Sequence, residues 1–172
     1  MAVLQTQRCR DFPKVTLSPR PPDCIFVSGD IFLMDVTVRY RNGVQFQAET
    51  RGHSVICDQP SGNGGADEGM SPPEFLLVSL GTCAGYYAAQ YLKARNLPME
   101  GLEVRVRAAK DGKPVRLDSF VIEVTVPGVD GERHREGLLR ATKLCLIHNT
   151  LSHPPQIDIA IGFPLGTVVQ QL

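Results

Sequence analysis

Residues 71–96 read SPPEFLLVSLGTCAGYYAAQYLKARN, and this stretch decides the fold. Ser71 can cap a helix, Pro72 and Pro73 are tolerated in a first turn, and Glu74 completes a capping box while suiting the positive end of the helix dipole. The helix is predicted to run to about Asn96, where Leu97-Pro98 stops it. Its middle is apolar on every side, which predicts burial all round. Gly81, Ala84, Gly85, Ala88 and Ala89 are small enough to admit a second helix at close range. A chain of 172 residues has little else to wrap such a helix, so a second copy of it is the simplest covering.

Upstream, Asp35 to Tyr40 alternates polar and apolar residues, as a half-buried strand does. Arg41-Asn42-Gly43 follows, and Asn-Gly is a strong hairpin signal. Val44, Phe46 and Ala48 alternate with Gln45, Gln47 and Glu49 on the return strand, and His53 to Cys57 is a short third strand. Asp58 to Met70 is glycine-rich and polar. It lacks the Gly-Lys-Ser/Thr ending of a phosphate-binding loop and reads as a mobile connector. Residues 1–30, with Pro13, Pro19, Pro21 and Pro22, read as an irregular N-terminal extension.

Downstream, Leu102, Val104 and Val106 mark a strand, Lys110 to Pro114 a turn, and Phe120 to Val126 a second alternating strand. Leu138, Leu139, Thr142, Cys145 and Leu146 fall at helical spacing, predicting one helix over Gly131–Leu151. Gln156 to Ile161 reads as a final strand. The order β-β-β-α-β-β-α-β is an α+β arrangement with largely antiparallel sheets.

Lys plus Arg equals Asp plus Glu, so the formal net charge is zero, and the chain carries no footprint for nucleic acid or anionic membranes. Phe75 to Leu92 is long enough to raise a membrane span, but it contains Ser79, Gly81, Thr82, Cys83, Gly85 and Gln90, and amphipathic strands follow it. Residues 1–12 lack a secretory pattern. The five cysteines (Cys9, Cys24, Cys57, Cys83 and Cys145) are odd in number and irregularly spaced, which speaks against a secreted disulfide framework and for a reducing cytoplasm. No CxxC pair occurs. Taken singly, Cys83 and Cys145 each read as small core residues. His148, three residues after Cys145, could share a zinc site with it, completed by His153 or Cys83, although a surface or helix-end histidine is the simpler reading.

Taken together, Ser-Pro-x-Glu, an apolar run, Gly-Thr-Cys83, then Lys-Leu-Cys145-x-x-x-Asn-Thr-Leu and an alternating strand resemble the OsmC/Ohr family over residues 31–163. The resemblance makes 31–172 a single OsmC-like domain. It implies an intertwined homodimer whose long central helices pack between antiparallel sheets, with each active site built from both subunits. It further implies a thiol-dependent peroxidase acting on organic hydroperoxides or hydrogen peroxide. Cys83 would be the attacking thiol, Cys145 the resolving one, and an external dithiol the reductant, with no cofactor and no metal. The alternative is a non-peroxidase member, a dimeric ligand-binding or redox-sensing protein.

The family's Arg–carboxylate pair over the thiolate maps onto Arg41 and Glu74, with Arg39 and Arg51 as competitors for the Arg. A guanidinium would favour the thiolate and a carboxylate would hold it in place. Glu74 lies nine residues before Cys83, whereas the better-known peroxidases place a Glu ten before it. One residue is about 100° of helix rotation, so Glu74 could cap the helix instead of reaching the Arg. Tyr86 and Tyr87, one turn beyond Cys83, are expected to line the site and to favour an apolar substrate. Cys9, Cys24 and Cys57 match no role.

Overall fold

The computed structural model describes residues 34–161. The chain divides into two compact units, Met1–Asp35 and Val36–Leu172, and the described residues fall almost wholly in the second. The expected extension over 1–30, with Cys9 and Cys24, lies outside the described residues.

Three strands, β1 (Thr37–Asn42), β2 (Gln45–Thr50) and β3 (His53–Cys57), form an antiparallel meander in the order β1-β2-β3. The Asn-Gly signal places the first turn correctly, with Gly43 at φ +49°. Val38 pairs with Ala48, Tyr40 with Phe46, and Phe46 in turn with Cys57, so apolar residues share one face. That face is exposed: Val38 at 58%, Tyr40 at 65% and Val55 at 46%. The ladder slips between Tyr40 and Asn42, leaving Arg41 in a bulge.

The connector after β3 is tied down, not mobile as its glycines suggested. Asp58 is fully buried. Its carboxylate accepts hydrogen bonds from the amides of Gln59 (2.8 Å), Ala66 (3.1 Å) and Glu68 (3.1 Å), and from Gln45 Nε2 (3.0 Å). Gln45 Nε2 also donates to Glu68 at 2.7 Å. Alternation alone placed Gln45 outward, yet it is buried, because this network satisfies its amide. The amides of Glu68 first, then the Gln45 amide, hold the Asp58 carboxyl below its ordinary range.

Helix α1 (Pro72–Lys93) begins as expected, with Glu74 Oε2 accepting from Ser71 N and Oγ, both at 2.7 Å. It ends three residues early. Ala94 is the C-cap, Asn96 turns to φ +53°, and Leu97 N closes back on Leu92 O at 3.0 Å. Leu80, Ala84, Ala88 and Leu92 form one buried stripe at i, i+4 spacing. The helix is not buried all round within this chain: Val78 (42%) and Tyr86 (59%) are exposed on another side. β4 (Glu103–Asp111), α2 (Gly131–Thr142) and α3 (Leu146–Ser152) pack on α1. The small residues do admit a close neighbour, but for Gly81 and Gly85 it is this chain's own β4. A Cβ on Gly81 would lie 3.1 Å from Val106, and one on Gly85 3.4 Å from Val104.

β4 pairs antiparallel with β5 (Arg116–Thr125). The expected single helix over Gly131–Leu151 is two. Asp130 caps α2, accepting from Glu132 N (3.1 Å) and Arg133 N (3.3 Å). The chain then breaks at Cys145, whose ψ of 123° is not helical, and α3 starts anew. The apolar period continues through the break, which is why pattern alone bridged it. Gln156–Ile161 forms no strand in the chain itself. A strand needs a ladder partner, and here Ile157 (80%), Ile159 (86%) and Ile161 (78%) stand exposed. Among the described residues no helix is long and apolar enough to cross a membrane.

Candidate functional site

Cys83 sits mid-way along α1, between the buried Leu80 and Ala84, and is half-buried. Cys145 is fully buried at the head of α3. Cys83 lies near enough to Cys145 to raise its thiol, and both thiols are free. Cys145 Sγ also accepts from His148 N at 3.3 Å, closing the first turn of α3. Burial pushes the Cys145 thiol up, and so does its neighbour Cys83, while the amides of His148 and Ile147 pull it down. The pair therefore has an outer, reachable sulfur and an inner, shielded one. Such a pair can attack an electrophile with the first sulfur and close a disulfide with the second.

The other sequence candidates are placed less favourably. Arg41 is exposed in its bulge, and it forms no hydrogen bond or ion pair among the described residues. Bulges often re-aim a side chain beside a functional site. Its competitor Arg39 is paired with Glu49 across β1 and β2 at 2.5 Å. Arg51 is exposed in the β2–β3 turn at φ +48°. Glu74 is exposed and serves its own helix start. The Ser71 amide, then its hydroxyl, hold this carboxyl below its ordinary range. Tyr86 and Tyr87 lie on the Cys83 side of α1 and touch each other edge to face at 5.3 Å. Cys57 is half-buried at the end of β3, its thiol pushed up by burial and by Asp58.

A cleft of about 1500 Å³ opens between α1, β5, α2 and α3. Leu76, Leu80, Phe120, Ile122 and Leu138 supply apolar walls, and Arg135, Lys143 and His148 polar ones. The sequence reading did not anticipate this cleft. It also missed the Asp58 network and the contact of Tyr91 Oη with His134 Nδ1 at 3.1 Å, above which Arg95 lies 3.8 Å from the Tyr91 ring centroid. The one available signal for that contact was Gly137, a glycine inside a helix, where a Cβ would collide with the Tyr91 ring.

The site thus consists of a helix-borne thiol with a second, buried thiol near it on an α+β frame. The frame matches solved structures at low identity. One is a protein of Psychrobacter arcticus, described in terms of osmotic stress induction and detoxification (TM-score 0.63, 18% identity, 73% of this chain and 91% of that one). Another is an OsmC-like protein of Mycoplasma pneumoniae (TM-score 0.59, 21% identity, 70% and 88%). A third is an organic hydroperoxide resistance protein, OsmC, of Legionella pneumophila (TM-score 0.51, 13% identity, 72% and 91%). The family model for OsmC-like protein matches residues 64–160, and the chain belongs to that family. No curated protein matches the sequence.

Proposed function

We propose that this protein is a thiol-dependent peroxidase reducing organic hydroperoxides, with hydrogen peroxide as a further substrate. The nearness of half-buried Cys83 to buried Cys145 carries this reading. The Cys83 thiolate attacks the terminal peroxide oxygen. The O–O bond breaks, the alkoxide takes up a proton and leaves as an alcohol, and Cys83 becomes a sulfenic acid. The Cys145 thiolate attacks the Cys83 sulfur, hydroxide leaves as water, and the disulfide forms. An external dithiol restores both thiols by exchange and is itself oxidised to a disulfide. Family membership and the hydroperoxide-resistance description of a structural neighbour support a peroxide-related role.

The working unit is a homodimer in a reducing cytoplasm. The exposed apolar face of Val38, Tyr40, Phe46 and Val55, and the exposed Val78 and Tyr86 of α1, are surfaces that a second copy would cover. Arg41 of the partner subunit supplies the guanidinium at Cys83, which its bulge and its lack of a hydrogen-bond or ion-pair partner among the described residues favour. Glu74 steadies it through Oε1, the oxygen that Ser71 leaves open. Tyr86 and Tyr87 contact the substrate's apolar part.

The test is steady-state consumption of cumene hydroperoxide with dithiothreitol as reductant. Wild type turns over and Cys83→Ser does not. Equal rates for the two, or an inert wild type, would remove the reading.

A second reading, a dimeric ligand-binding or redox-sensing protein, is favoured by the apolar cleft and by the use of Glu74 as a cap. It gains if native mass spectrometry finds a co-purified small molecule on a protein inert to peroxide.

A further inference from the structure

Cys145 has two duties that conflict. It neighbours Cys83, and its sulfur is also the cap of α3, accepting from His148 N at 3.3 Å. The first amides of a helix have no partner inside the helix and need one outside it. α3 has seven residues, too few to be stable by propensity alone, so it leans on its cap and packing. His148 and Leu151 of this helix line the cleft, as do Leu76 and Leu80 of α1. Disulfide closure draws the two sulfurs to about 2.05 Å, nearer than any hydrogen-bonded sulfur pair, and turns the capping sulfur into a poorer acceptor.

We propose that the Cys83–Cys145 disulfide uncaps α3, so that the redox state of the buried pair is transmitted to the wall of the cleft. The reduced protein holds α3 closed and the cleft wall ordered. In the oxidised protein His148 N is free and the first turn of α3 loosens, bringing His148 with it. The inference rests on the reading that these two cysteines form a disulfide. It does not require that a peroxide make it.

The experiment compares amide hydrogen exchange over residues 146–150 in full-length protein reduced with dithiothreitol and oxidised with diamide. Diamide takes two electrons and two protons from the thiols and becomes the hydrazine. Exchange at His148 is expected to rise about three- to tenfold on oxidation, the scale of a lost cap. It should stay unchanged in Cys83→Ser treated alike. Cys145→Ser, which keeps an oxygen cap, should exchange slowly under both conditions, and Cys145→Ala fast under both. Equal or slower exchange in oxidised protein whose 83–145 disulfide is confirmed by peptide mapping overturns the proposal. So does an equal rise in Cys83→Ser, or a diamide reaction that leaves both thiols free. If diamide forms the disulfide and loosens α3 while hydroperoxide does neither, the proposal stands and the peroxidase reading falls.

Discussion

Cys145 stands near Cys83 at the position where the second helical run is broken. A continuous helix over Gly131–Leu151 would have carried Cys145 along a straight axis. The break after α2 instead sets its sulfur at the head of a new helix, against the middle of α1. The joint is thus what makes a two-sulfur centre out of residues that, taken singly, look like core filling.

The proposed in-trans role of Arg41 makes a sharp forecast. Arg41→Ala should keep its fold and slow peroxide reduction by about a hundredfold or more, the usual cost of a lost transition-state donor. Arg41→Ala and Cys83→Ser chains, each nearly inactive alone, should recover activity when refolded together, because one site of the mixed dimer then has both groups. No recovery in a mixture shown by mass to contain heterodimers would place the Arg in the same chain or remove it from the site.

Asp58 should set the acid limit of the fold. Its carboxyl is held below its ordinary range, so its contribution is present above the unfolded value, about 3.9, and is lost as pH falls through the lower folded value. Asp58→Asn keeps the shape but removes that charge, and its melting temperature should depend less on pH over this window. Asp58→Ala takes one of two acceptors from the Gln45 amide, leaves three backbone amides without theirs, and should melt lower by about 5 °C or more at neutral pH. Identical pH profiles for wild type and Asp58→Asn would contradict this account.

Gly137 makes room for the Tyr91 ring, which hydrogen-bonds to His134. Gly137→Ala should therefore destabilise by about 1–3 kcal/mol in urea unfolding, the range for overpacking. Tyr91→Ala should absorb most of that clash, so the double variant should be more stable than the sum of the single effects implies. Strict additivity would mean that the two do not press on each other.

Much of this was legible in the sequence where local chemistry and tertiary demand agree. Ser71-Pro72-Pro73-Glu74 starts a helix as its caps require, Asn42-Gly43 turns the first hairpin, and alternation marks β4 and β5. Cys83 and Cys145 stood out as a candidate pair only through the family resemblance, since neither cysteine is informative by itself. The misses arose where a tertiary partner overrode the pattern. The apolar period runs unbroken through Cys145, so the start of α3 was invisible to it. Gln45 is polar by type and buried by partnership with Asp58. Ile157, Ile159 and Ile161 alternate like a strand, but no strand among the described residues pairs with them.

The most direct measurement is a single turnover. Fully reduced protein is mixed with one equivalent of cumene hydroperoxide, quenched by alkylation and mapped by peptide mass spectrometry without reduction. The account predicts loss of two thiols per chain, one alcohol released, and a peptide pair joined through Cys83 and Cys145. Intact peroxide with both cysteines alkylated, or a disulfide that excludes Cys145, would contradict it.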